Sequence, residues 1–298
     1  MRGATVTTTR LEDPAPPALA GRAEAGRRHV LSDYHDVAWA AIALAGGGVI
    51  AQGFANFYAI TTRPDVETVR RVNRMKGRPP TQVGSITSTP ARIPLAFDWS
   101  KLPAGLTRRR IRDLMQSLFQ LGPFGFRGPA ASHVPAHLTQ LDDGIPTTQV
   151  IAPGSACPSN HFLAASLDAV DNDLLSITSA NRSRHLTGAS DEPAHWKAGP
   201  LAAEFGAEAG FGLLDHADAE AARRAYPLFA PMSVTILAFH KLGGPDRLGR
   251  GCLTVERHGS LGVGHLRPIL AEHGFGVVLG PHARQRLLQR RYDEAGAA

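Results

Sequence analysis

Cysteine is scarce in this 298-residue chain, which has only Cys157 and Cys252. Two thiols are too few for a disulfide framework and too few for a cysteine-based zinc site. Long apolar runs are also missing. None approaches the roughly 18 residues that span a bilayer, and the N-terminus has an early Arg2 but no apolar segment of the kind a secretory signal carries. The chain therefore reads as a cytoplasmic protein with no membrane partner. Several catalytic signatures are absent as well. There is no Gly-x-Gly-x-x-Gly after the first strand candidate, no Gly-x-x-x-x-Gly-Lys-Ser, no Gly-x-Ser-x-Gly and no His-Glu-x-x-His. The common dinucleotide, P-loop, hydrolase and zinc-protease readings thus lack their phosphate loops, nucleophiles or ligands.

What is present is globular: 43% hydrophobic residues and a mean hydropathy of -0.13, enough apolar material for a sizeable core. The net charge of +6 suits an anionic partner such as a nucleotide, a tRNA or an acidic substrate. Most of the positive charge is arginine, which grips phosphate bidentately, although an Arg- and Ala-rich coding habit would produce much of the same excess.

Residues 1–30 are rich in Thr, Pro, Ala and Arg without apolar periodicity and read as a disordered arm. Asp33, with Asp36 three residues on, caps a helix through Val37 to Leu44, which Gly46, Gly47 and Gly48 end. An apolar run from Val49 to Ile60 reads as strand with a turn at Gly53. Pro64 and Asp65 start a second helix, in which Val66, Val69, Val72 and Met75 repeat at helical spacing until Gly77. Gln82 to Ile86 is a strand candidate, residues 107–120 an amphipathic helix, and 121–160, rich in Gly and Pro, a region of long loops. Beyond these lie a short helix at 161–170 and a buried strand from Leu174 to Thr178. Helix Ala217 to Ala225 and strand Ser233 to Phe239 come next. The tail alternates strand Cys252 to Glu256, helix Leu266 to His273, strand Gly276 to Leu279 and a basic helix His282 to Arg291. The mixture is α/β or α+β. It reads as one domain over 31–261, with a short α/β extension, 262–298, packed on it.

Three segments stand out together, in this order. Gly46-Gly47-Gly48-Val49-Ile50-Ala51 feeds a strand from a helix end, Arg74-Met75-Lys76-Gly77-Arg78-Pro79 puts a Lys-x-Arg at a helix C-terminus, and Ile177-Thr178-Ser179-Ala180-Asn181-Arg182-Ser183 places polar groups where a buried strand ends. Taken singly, each is ordinary. A Lys-x-Arg there complements the helix dipole, and Ser-x-Asn after a strand is a turn bonding its own backbone. Jointly they resemble the YrdC-like family, the threonylcarbamoyl-adenylate synthases. Phe126-Arg127-Gly128-Pro129, Ser233-Val234-Thr235-Ile236 and Arg257-His258-Gly259 are weaker echoes of other family elements.

The resemblance implies a twisted mixed sheet with flanking helices around a large basic cavity. It implies ATP as substrate with Mg²⁺, bicarbonate or a carbamoyl donor, an amino acid such as L-threonine, and a product that feeds tRNA modification. It also implies adenylation of the carbamoyl group: a carbamate oxygen attacks the α-phosphorus and pyrophosphate leaves. Fixed cations and hydrogen-bond donors stabilise such a reaction. Lys76 and Arg78 would supply charge as the catalytic pair. Ser179 and Asn181 would bind phosphate, with Arg257 and Arg127 as further phosphate or carboxylate ligands. Tyr58 matches the aromatic position of the family's first strand and, with Phe54, would face the substrate pocket. That strand otherwise departs from the pattern. In Gln52-Gly53-Phe54-Ala55-Asn56-Phe57-Tyr58 the family's Pro, acidic residue and both Thr positions are gone. A large apolar Phe54 stands where a small hydroxyl is usual, which points to an altered acceptor. The alternatives are a nucleotide- or tRNA-binding module without turnover, and a carbamoyltransferase component using carbamoyl phosphate. No metal-ligand set is evident. His133 and His137 are four apart, but Pro135 lies between them.

Overall fold

Asp33 begins the first helix as the sequence suggests. In the computed structural model, which describes residues 28–183 and 192–292, its carboxylate accepts from the amides of His35 and Asp36 and opens α1 (Tyr34–Ala45). Asp36 turns instead to the preceding strand, accepting from Val30 N and pairing with His29. Of the arm read over 1–30, residues 1–27 lie outside the described residues, and His29–Val30 form a short parallel edge strand, β1.

The apolar run after α1 is a hairpin, β2 (Val49–Phe54) and β3 (Phe57–Thr62). Its turn is at Ala55-Asn56 rather than at Gly53, and Ala55 adopts φ +56°. Gly53 stays in the strand because a Cβ there would lie 2.6 Å from the buried His216 ring. Asp65 caps α2 (Val66–Met75) by accepting from Thr68 N, and Gly77 ends it with φ +73°. β4 (Ser85–Thr87) and α3 (Arg108–Leu121) follow, the latter capped by Thr107.

The region 121–160 is not a set of long loops. It holds β5 (Phe124–Pro129), β6 (Gln140–Asp142) and β7 (Ile145–Ala152), and β5 and β7 lie near the middle of the sheet. The glycines that suggest loops serve packing. A Cβ on Gly128 would meet the Phe239 ring at 2.1 Å. α4 (Ser159–Val170), β8 (Leu175–Ser179), α5 (Ala198–Phe205) and β9 (Phe211–Asp215) come next. The chain then forms α6 (Ala219–Ala225), β10 (Ile236–Pro245), β11 (Gly251–Arg257), α7 (Val263–Glu272) and β12 (Gly276–Leu279).

Among the described residues these strands form one mixed sheet of 12, ordered β1-β9-β2-β3-β8-β4-β7-β5-β10-β11-β12, with β6 paired to β7. Because successive strand residues face opposite ways, the clusters divide the helices between faces. α1 and α4 pack with Ile50 and Leu175 on one face, while α2 and α5 pack with Ala51 and Ile60 on the other. On that second face α3 and α7 cover β5, β10 and β11 through Phe126, Leu237 and Leu253. Among the described residues no helix covers the middle of the first face, where Phe54, Phe57, Ala59, Ile151, Ile177 and Val234 form a floor.

The tail does not form the helix read over His282 to Arg291. Only Pro281–Ala283 make a turn of 3-10 helix. Beyond it the backbone finds partners elsewhere: Leu287 N donates to His258 O, and Arg290 O accepts from Trp196 Nε1.

Candidate functional site

A cavity of about 240 Å³ opens on the uncovered floor. Apolar residues of β3, β7 and β8 make its base, and polar and basic groups make its walls: Arg78, Gln82, Ser85, Gln149, Thr178, Ser179, Ser233 and Arg257. Among the described residues no carboxylate lines it. Local folding explains the gathering. β8 pairs with β3 through Ser179 but with β4 only as far as Ile177. Its last residues therefore run past the start of β4 and leave a gap. The chain leaving α2 enters there, and Arg78 Nη1 donates to Thr178 Oγ1 at 2.9 Å. Arg257, at the end of β11, comes from the far side of the sheet and is fixed by Nε donating to Val234 O at 2.8 Å. Burial, and then the neighbouring guanidiniums of Arg78 and Arg127, push the Arg257 pKa down to about 10. It stays charged at neutral pH, and no acidic partner of Arg257 occurs among the described residues.

The structure thus brings Arg78, Ser179 and Arg257 to one cavity. Lys76 lies behind it. Its side chain is fully buried at the C-terminus of α2. Its ammonium donates to the Ser179 carbonyl and, at 3.4 Å, to Asn181 Oδ1. Asn181 is also buried, accepts from the Ser179 hydroxyl and donates to Arg182 O. Lys76 and Asn181 therefore hold the turn that presents Ser179. Arg127 lines a smaller adjoining cavity of about 70 Å³, beside Ser85 and Gln149. Phe54 is a floor residue stacked edge-to-face on Phe57, with ring centres 5.5 Å apart. Tyr58 points through to the opposite face, where its hydroxyl donates to the buried Asp215. Burial, then that carboxylate, raises the phenol's pKa far above the ordinary value.

Sequence reasoning passed over Ser85 and Gln149, and quoted Thr178 and Ser233 within its motifs without giving them a role. The signal for Ser85 and Gln149 was weak but present: each is a polar residue on the same strand face as the apolar floor. A separate groove of about 690 Å³ lies along α3 beside Arg108, Arg109 and Arg112. None of the candidate residues reaches it. Asp142, His240 and Glu256 place one ligand atom each within 4.8 Å of the others. Both carboxylates are already engaged by cations, Lys241 on each and Arg127 on Glu256.

Pyrococcus abyssi Sua5 complexed with L-threonine superposes with a TM-score of 0.53 at 14% identity, over 87% of this chain and 66% of that one. A doubly substituted P. abyssi Sua5 gives 0.55 at 15%, over 84% and 63%. The fold is that of Sua5. A hypothetical protein from Streptococcus mutans gives 0.55 at 14%, over 81% of this chain and 94% of that one. The chain spans just under two thirds of Sua5. No family model and no curated protein matches the sequence. The twisted mixed sheet with flanking helices that the motifs implied is therefore present, carried by a sequence far diverged from its structural neighbours.

Proposed function

We propose that this chain uses ATP to adenylate a carbamoyl-type group, forming an acyl-adenylate and releasing pyrophosphate. The observation that carries the reading is the cavity where Arg78, Ser179 and Arg257 converge, with no carboxylate among its described lining residues, on a fold shared with a Sua5 that was crystallised with L-threonine. A carbamate oxygen attacking the α-phosphorus loads negative charge onto the phosphoryl oxygens and the departing pyrophosphate. Two fixed guanidiniums offset that charge without having to reorganise. Ser179 adds a hydroxyl at the same wall, and Lys76 acts through the turn it holds. The described lining residues offer no carboxylate to a Mg²⁺ ion. The ion would therefore arrive on the nucleotide phosphates, keep several waters and supply charge neutralisation there. With bicarbonate, the carbamoyl carbon would come from that anion and the nitrogen from an amino acid; a carbamoyl donor would bring both atoms itself. L-threonine is one candidate, and tRNA would lie downstream of the product.

The burial of Lys76 favours a second reading: a nucleotide- or tRNA-binding module with the same cavity and no turnover. One experiment separates them. Pyrophosphate release from ATP and Mg²⁺ is measured with bicarbonate and each amino acid in turn, then with carbamoyl phosphate in place of bicarbonate. Release that depends on one amino acid and falls at least tenfold in Arg257→Ala is the expected result. Saturable ATP binding with no release under any condition selects the binding module.

A further inference from the structure

Gln140, Arg127, Gln149 and Ser85 form a hydrogen-bond network whose direction is set by chemistry, and Glu256 joins it through charge alone. An arginine can only donate. Arg127 is paired through Nε with Glu256 Oε2 at 2.6 Å, and its Nη1 donates to Gln140 Oε1 at 2.9 Å. Its Nη2 donates to Gln149 at 3.2 Å, so the Gln149 atom it meets must be the carbonyl Oε1. The amide nitrogen of Gln149 is thereby turned the other way, and it donates to Ser85 Oγ at 2.5 Å. A hydroxyl that accepts from an amide keeps its own hydrogen to give. Ser85 and Gln149 both line the main cavity, as does Arg257. The relay therefore ends in a hydroxyl donor at a wall that also carries a guanidinium, and among the described lining residues there is no carboxylate to accept from either.

We propose that Ser85 and Arg257 form an oxyanion subsite for a planar carboxylate-type group. That group would be bicarbonate, a carbamate or an amino-acid carboxylate. Glu256, Arg127 and Gln149 are positioning residues that fix the polarity of the Ser85 hydroxyl. The inference rests on the reading of this cavity as the reaction site, and it assigns Arg127 a role behind the ligand rather than on it. Lys241 reinforces the far end, since its ammonium sits 2.8 Å from Asp142 and 3.6 Å from Glu256. Hydrogen bonding to Lys241 and then to His240 keeps the Asp142 carboxyl below the usual range despite its partial burial.

The test is thermal protection of the whole chain by sodium bicarbonate and by sodium acetate, each against sodium chloride at matched ionic strength. Ligand binding to the folded state alone raises the melting temperature by mass action. Both anions protecting, or one alone, supports the subsite and tells which source fits it. Ser85→Ala is expected to weaken that protection about tenfold, the cost of one hydrogen bond to an ion. Ser85→Thr, which keeps the hydroxyl, should restore it. Gln149→Glu is nearly isosteric and still accepts from Arg127. It turns the Ser85 hydrogen back onto itself, and should weaken protection at least as much as Ser85→Ala. No protection of the unaltered protein by either anion overturns the subsite, as does equal protection of Ser85→Ala and Gln149→Glu. Pyrophosphate release in the same variants keeps the two readings apart. Turnover with unchanged anion response removes the subsite and leaves the enzyme. Anion protection lost in Ser85→Ala, with no turnover in the unaltered protein, leaves the subsite and removes the enzyme.

Discussion

Arg257 costs the fold something and serves the cavity. Burial and two neighbouring guanidiniums depress its pKa, so the charged form is disfavoured in the folded state. The sign follows from linkage. A base whose folded pKa is depressed binds fewer protons folded than unfolded between the two values, so its penalty is fully present below about 10 and disappears as pH rises above the ordinary arginine range. Its hydrogen bond to Val234 O offsets only part of that penalty. Arg257→Met is therefore expected to raise the melting temperature at neutral pH, by about 2 °C for roughly 1 kcal/mol in a chain of this size. The same variant should lose anion protection. Thermal denaturation with and without acetate checks both. A fall in melting temperature would mean that Arg257 is held by more than the fold displays. Lys76 makes a contrast. The sequence placed a cation at the right helix end, but nothing local says whether a four-carbon stem turns outward or folds back. Here it folds back, because the carbonyl of Ser179, distant in sequence, needs a donor.

At the scale of elements, legibility followed the source of each element's stability. Helices α1, α2 and α3 were readable because their caps and apolar stripes are local: Asp33, Asp65 and Thr107 all cap as their positions suggest. The strands β5 and β7 were not, because their glycines and prolines signal loops and their justification is tertiary. Gly128 is small since Phe239 stands over it, and Phe239 cannot retreat. It is 1% exposed, edge-to-face with Phe97 at 4.9 Å and stacked on Trp99 at 5.8 Å. Gly128→Ala should thus destabilise by about 2 kcal/mol, a typical overpacking penalty. Gly144→Ala, where a Cβ would meet nothing and only the positive φ opposes it, should cost about 1 kcal/mol. Urea unfolding of the two variants ranks them. A larger loss at Gly144 would mean that the aromatic stack yields.

Across the whole molecule, the basic segment after Ala283 decides how one wall of the cavity region is held. Read locally, its arginines suggest a solvated helix. In the fold it is an extended strap. Arg286 donates to the carbonyls of Gly259 and Ser260, beside Arg257. Arg290 reaches Glu192 and Glu204, each at 2.9 Å. Tyr292 Oη accepts from Trp196 N at 3.0 Å and meets His195 Nδ1 at 3.1 Å. Trp196 in turn packs against the floor cluster that carries Phe54 and Phe57. The strap therefore connects the β11 end of the cavity to the loop beside its floor, two regions that no strand pairing joins among the described residues. Buried polar groups left without partners cost about 1–3 kcal/mol each, and removing the strap exposes several at once. A chain ending at Arg284 is expected to melt several degrees lower and to show red-shifted tryptophan emission as Trp196 meets water. Tyr292→Phe, which removes only the hydroxyl, should do so mildly. If the emission of the shortened chain is unchanged, the floor holds Trp196 by itself, and the strap's arginines are free to be read as the solvated face their sequence suggests.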